Sequence, residues 1–219
     1  CLHIGCIPTK ALLHAAEVAD VARDASKFGI KAEFTGVDVP GVLAYRDEVV
    51  NSKWKGLQGL LKARKIVTVE GEGRLVSPTT VRVGDDEYVG KNVILATGST
   101  PRSLPGLEIG GRVRLGRGAV PVVGRVAEAN LQRSWGADVH IVEGLPHLVP
   151  NEDEAISKQF ERAFRKRGIE FTLGTRFQSV TQNESGVVVT LEDGTAIDGE
   201  HLLVAVGRGP VTAGLGYEE

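Results

Sequence analysis

Over the first 63 residues the apolar positions follow a helical period. Leu12, Leu13, Ala15, Ala16, Ala19 and Ala22 recur at the spacing of one helix face and predict a helix over 8–28. Pro8 suits its first turn, where a missing N–H costs nothing, and Gly29 stands where a C-terminal cap belongs. A second helix is predicted over 42–63, with Val49, Val50, Trp54, Leu57, Leu60 and Leu61 inward. The period then drops to two. Residues 66–70, 80–83 and 88–89 read as short strands, the last two joined across Gly84-Asp85-Asp86. Residues 92–96 form a compact apolar run that predicts a strand leading into Thr97-Gly98-Ser99-Thr100-Pro101.

Pro101, Pro105, Gly106, Gly110 and Gly111 then mark a linker, which divides the chain into domains at 1–105 and 106–219. Beyond it a strand is predicted over 138–143 and a helix over 151–167. Asn151 and Glu154 are spaced as a capping box, and Gly168 stops that helix. Strands at 169–173, 186–191 and 202–206 follow, with a turn at Asp193-Gly194. Alternating strands and helices with glycine-rich strand ends predict an α/β fold whose parallel sheets take nucleotides at their carboxyl edges.

Composition narrows the function classes. Twenty-six basic and 28 acidic residues leave a net charge of −2, so no basic footprint for nucleic acid exists. Glycine, at 28 of 219 residues, is about twice its usual share and sits in turns rather than in a low-complexity tract. No apolar run reaches the length of a membrane span, and no signal-peptide pattern opens the chain. A chain that opens on Cys1 and contains no methionine is expected to be an internal fragment, and a cytoplasmic location is expected.

Two cysteines are too few for a secreted disulfide scaffold, and their spacing points to redox chemistry or metal binding. Positions i and i+5 lie about 8.6 Å apart in a helix and about 16 Å apart in a strand, beyond the reach of a disulfide. A bridge between Cys1 and Cys6 therefore requires a bent loop, which Gly5 permits. Cys6 falls at the positive end of the first helix, where a thiolate is stabilised. A metal-ligand pair and two inert thiols stay open as alternatives.

The run from Cys1 to Leu13, with Gly-Cys-Ile-Pro-Thr-Lys at its centre, resembles the redox segment of the pyridine nucleotide–disulfide oxidoreductases. It is most similar to the branch that oxidises dihydrolipoamide in 2-oxoacid dehydrogenase complexes. The resemblance implies two Rossmann-like domains, one for FAD and one for NAD, and a Cys1–Cys6 redox disulfide. Cys1 is then the exchange thiol, Cys6 the flavin-side thiolate, and Lys10 a cation beside the flavin ring. The run Val93 to Arg102 resembles the family's second flavin signature, which implies FAD contacts at Thr97, Gly98 and Ser99. Gly71 matches the position near the adenine end. Glu143, closing a strand, matches the acid that binds ribose hydroxyls and disfavours NADP. Gly207, in Val206-Gly207-Arg208-Gly209-Pro210, lies in the closing signature near the nicotinamide. The implied partners are dihydrolipoamide on the acyltransferase component and a second copy in a homodimer. Mercuric or glutathione reductase-like chemistry, or a non-catalytic nucleotide-binding module, are the rivals.

Three parts of the family pattern do not appear in the sequence. Neither the first flavin βα unit nor the interface domain has a counterpart, and none of the five histidines matches the acid/base motif. Where a G-x-G-x-x-G is expected, the chain reads Gly116-Arg117-Gly118-Ala119-Val120-Pro121, after a stretch that contains Arg112 and Arg114. Residues 110–134 are therefore expected to carry a deletion or a misread frame.

Overall fold

The computed structural model of the chain describes residues 1–115 and 121–216. Two compact units emerge: residues 1–52 with 101–207, and residues 53–100 with 208–219.

The first unit opens with helix α1, Cys6–Arg23, which a 3₁₀ turn over Ala25–Phe28 extends to Gly29. Gly29 is left-handed at φ 75°, as a C-terminal cap demands. Helix α2, Val39–Ala63, starts in this unit, and Ser52 is the last of its residues assigned there. Of its six expected core positions only Val50 is buried, while Leu60 is 54% exposed. Strand β5, Val113–Leu115, pairs in parallel with β11, Leu202–Val204. The arginines flanking Val113 do not enter its core. Val113 is fully buried, Arg114 is exposed, and Arg112 donates to the carbonyls of Glu184 and Glu200 at 2.6 and 3.2 Å. Helix α3, Pro121–Ser134, was not foreseen from the sequence. Residues 116–120, which hold most of the irregular glycine motif, lie outside the described residues.

A βαβ unit follows: β6 (Val139–Glu143), α4 (Glu154–Lys166) and β7 (Ile169–Leu173), with Val139 opposite Ile169 and Glu143 opposite Leu173. Phe164, Ile169, Leu148 and Ala129 form its core, with Ile141, Phe160 and Phe171 packed around them. The α4 cap is Asp153 rather than Asn151. Its carboxylate accepts from Ala155 N–H at 2.8 Å, because the chain enters the helix two residues later than the capping box implied. Gly168 ends the helix at φ 73°, and a Cβ there would stand 2.8 Å from Nη2 of Arg133. A meander, β8 (Phe177–Gln182), β9 (Val187–Leu191) and β10 (Ala196–Gly199), completes the unit. Val187, Val189 and Leu191 alternate into its core at 3, 7 and 0% exposure, the two-residue period of a half-buried strand.

In the second unit β1 (Gly73–Ser77), β2 (Thr80–Val83) and β3 (Asp86–Val89) form an antiparallel meander that turns at Gly84. Leu75 N–H donates to the Leu215 carbonyl at 2.7 Å. Two expected strands are absent from the described ladders: 66–70 and 92–96 have no strand partner, and Val67 and Ile94 are 83% and 88% exposed. Apolar alternation gives a segment the capacity for a strand, but a neighbouring ladder supplies the hydrogen bonds. The glycine turn after 96 is nonetheless paired, through β4 (Ser99–Pro101) and β12 (Arg208–Pro210).

Candidate active site

Gly5 precedes α1 at φ 99° and ψ −108°, a conformation closed to residues with a side chain. The chain therefore doubles back at the helix start. Ile7 N–H donates to the Cys1 carbonyl at 3.0 Å, and the two cysteines form a disulfide across a Cα separation of 4.6 Å. That separation lies in the range a disulfide spans, and the bent loop that the spacing required is the one observed. Both sulfurs are taken up in this bond, and among the described residues no cysteine is free. Cys1 is exposed and Cys6 half-buried. Cys6 is the first residue of α1, and no side chain caps that end. The positive pole of the helix dipole lies at that end and favours a thiolate there on reduction. Lys10, exposed and four residues on, lies on the same helix face as Cys6.

Glu143 closes β6 with its side chain buried, and Oε1 accepts from Leu145 N–H at 3.1 Å. A carboxylate thus stands at the carboxyl end of a parallel strand, where α/β sheets bind ligands. Gly207, at φ 112°, follows β11, and its carbonyl accepts from Arg102 N–H at 2.8 Å. These residues, with Cys1, Cys6 and Lys10, belong to the first unit.

Thr97, Gly98, Ser99 and Gly71 belong to the second. Residues 97–99 are exposed, and Gly98 has φ 82° with nothing within 4 Å of where a Cβ would lie. An open, side-chain-free backbone of this kind is what close approach of a nucleotide requires, so the turn fits the flavin that the sequence points to. Gly71 has a reason of its own. At φ 152° a Cβ would stand 2.4 Å from Cγ1 of Val83, so packing against β2 already requires glycine there.

Two polar clusters join residues that the sequence motifs do not link. Arg208 grips Ser99 through Nε at 2.8 Å and through Nη2 to the carbonyl. Asp20, on α1, accepts from Ser134 Oγ at 2.9 Å, Arg167 Nη2 at 2.7 Å and Arg23 at 2.8 Å. Partial burial raises its pKa, but the bonds from Arg167 and Ser134 and the charge of Arg167 outweigh this and hold it below the ordinary value. The Ser99–Arg208 contact and the bonds of Asp20 to Ser134 and Arg167 leave no signal in sequence spacing, because those partners lie far apart along the chain. His147 pairs with buried Glu161 at 3.0 Å and His140 with Thr172 Oγ1 at 2.9 Å, so these two rings serve packing contacts.

A family model described as pyridine nucleotide-disulphide oxidoreductase matches residues 1–219. Leghemoglobin reductase of Vigna unguiculata is 34% identical over 244 residues, which take in all of this chain and 47% of that protein. Dihydrolipoyl dehydrogenase of Geobacillus stearothermophilus is 34% identical over 239 residues, again with all of this chain and 51% of the relative. The chain thus spans about half the length of the curated relatives it matches, and the matched stretches exceed its own 219 residues. Among solved structures, LpdA from Mycobacterium tuberculosis superposes with a TM-score of 0.85 at 24% identity, over 99% of this chain and 52% of that one. The HOCl-induced flavoprotein disulfide reductase RclA from Escherichia coli gives 0.79 at 24% identity, over 100% and 50%. These likenesses show a shared α/β fold. With the family model spanning the whole chain, this protein belongs to the pyridine nucleotide-disulphide oxidoreductases.

Proposed function

We propose that the chain carries the redox disulfide and the two nucleotide segments of a dihydrolipoyl dehydrogenase. The observation that carries this reading is the Cys1–Cys6 disulfide closed at the start of α1. Support comes from the curated dihydrolipoyl dehydrogenases at about one-third identity.

The family uses FAD and NAD. Residues 1–105 are read as part of the flavin domain and 106–219 as the NAD domain, both Rossmann-like, with Lys10, Gly71, Thr97, Gly98 and Ser99 toward FAD and Glu143 and Gly207 toward NAD. When bound, FAD would supply a two-electron acceptor for the reduced cysteines and NAD would supply a hydride acceptor. The protein's own chemistry is thiol exchange. A thiolate of dihydrolipoamide attacks the Sγ of exposed Cys1, and the S–S bond breaks with its electron pair on Cys6. The α1 terminus holds that thiolate. The second substrate thiol then displaces Cys1 from the mixed disulfide, so the substrate leaves as lipoamide and both cysteines are reduced. The same assignment places the enzyme in the cytoplasm as a homodimer, serving the acyltransferase component of a 2-oxoacid dehydrogenase complex. No helix among the described residues is long and apolar enough to cross a membrane.

The test is alkylation of the flavin-loaded enzyme after reduction with one equivalent of dihydrolipoamide. Both cysteines are expected to become labelled, Cys1 first, and lipoamide turnover is expected to exceed turnover with glutathione or mercuric ion. Labelling of Cys6 before Cys1 would reverse the two roles. Preferential reduction of glutathione disulfide or mercuric ion would move the enzyme to another branch of the family.

A further inference from the structure

Residues 97–99 and 208–211 come from different sequence motifs, yet they are zipped together within the second unit. Arg208 Nε donates to Ser99 Oγ at 2.8 Å across 109 residues, and Nη2 donates to the Ser99 carbonyl. Thr97 Oγ1 donates to the Val211 carbonyl at 2.6 Å. Val211 N–H in turn donates to the Gly98 carbonyl at 3.1 Å. Each residue of the turn is therefore anchored by the later segment, while the side of Gly98 where a Cβ would project stays open. Two donors of one planar guanidinium on one residue fix its hydroxyl and its peptide plane together, which a single-point donor cannot do. The bonds from Arg208 run to neutral oxygens, and its buried Nη1 has no hydrogen-bond partner among the described residues.

We infer that Arg208 is a positioning residue for the flavin-binding turn. It locks Ser99 and presents the open backbone of Gly98 to the cofactor. Arg208 acts through residues 97–99, so its role rests on their proposed reading as a flavin segment.

The experiment removes FAD from the flavin-loaded enzyme and titrates it back, with quenching of flavin fluorescence as the readout and thermal midpoints measured alongside. R208A is expected to bind FAD about ten- to a hundredfold more weakly, the effect of losing charge-assisted hydrogen bonds. R208K keeps the charge but not the fork. It is expected to recover the thermal midpoint while staying about fivefold or more weaker for FAD. A residue with a merely structural role would regain both together in R208K, and that result overturns the inference. Unchanged FAD affinity in R208A overturns it as well. Should R208A fail to fold, R208K decides on the same terms. Gly98→Val, which fills the open side of the turn, separates the two levels. Loss of FAD in Gly98→Val with unchanged affinity in both Arg208 variants removes Arg208 alone, whereas unchanged affinity in all three removes the flavin reading of the turn.

Discussion

At the residue scale two side-chain positions make opposite demands. Glu143 is buried and bonded to Leu145 N–H, so its carboxylate is fixed before any ligand arrives. Replacing Glu143 with Gln preserves an acceptor for that N–H, removes the charge and leaves one acceptor oxygen in place of two. If the carboxylate meets ribose hydroxyls, the ratio of kcat/KM for NAD over NADP should fall about tenfold or more. An unchanged ratio would take Glu143 out of the NAD site. Gly71 is a packing requirement in its own right. The variant Gly71→Ala meets both an unfavourable φ of 152° and a Val83 methyl 2.4 Å away. It should lower stability by about 1–3 kcal/mol, measured as a reduced urea midpoint. Adding Val83→Ala should return part of that loss, since it removes the clash and leaves the backbone cost.

At the scale of elements, helix ends carry the informative polar chemistry. Asp153 caps α4 and Asn151 does not, so Asp153→Ala should cost about 1 kcal/mol in thermal or denaturant unfolding while Asn151→Ala costs little. The Asp20 cluster joins α1 to Ser134, the last residue of α3, and to Arg167 at the end of α4. Because the folded-state pKa of Asp20 is depressed, the cluster stabilises fully above the ordinary aspartate value of 3.8. That stabilisation is lost as pH falls through the lower folded value. Asp20→Asn should therefore be less stable than the parent chain at neutral pH, with the gap closing as the medium is acidified below that value. A gap that stays constant with pH would show that the charge of Asp20 contributes nothing. Both features involve chain entries and partners that periodicity cannot locate. The helices themselves were legible because their apolar faces repeat locally. Helix α3 was missed, its sequence lying in the stretch that breaks the family pattern.

At the scale of the whole molecule, the 219-residue chain by itself, supplied with FAD and NAD, should form NADH from dihydrolipoamide at least about a hundredfold more slowly than a full-length relative. None of its histidines stands in the acid/base motif, and two are committed to Glu161 and Thr172. Turnover matching the relative would show that proton removal is supplied from within this chain. The sequence by itself determined the cysteine frame, the bend at Gly5 that a bridge requires, a first helix over 8–28 where α1 spans Cys6–Arg23, and strands at 138–143 and 169–173 where β6 and β7 lie. Each depends on forces acting within a few residues: a backbone angle open only to glycine and a repeating apolar face. Only the tertiary structure decided that 66–70 and 92–96 lack strand partners among the described residues, that Val83 dictates Gly71, and that Arg208 meets Ser99 across 109 residues. Those outcomes depend on which distant segment arrives to pair, pack or donate. Periodicity holds no record of that choice, because it is settled by the free energy of the assembled contacts rather than by local conformational preference.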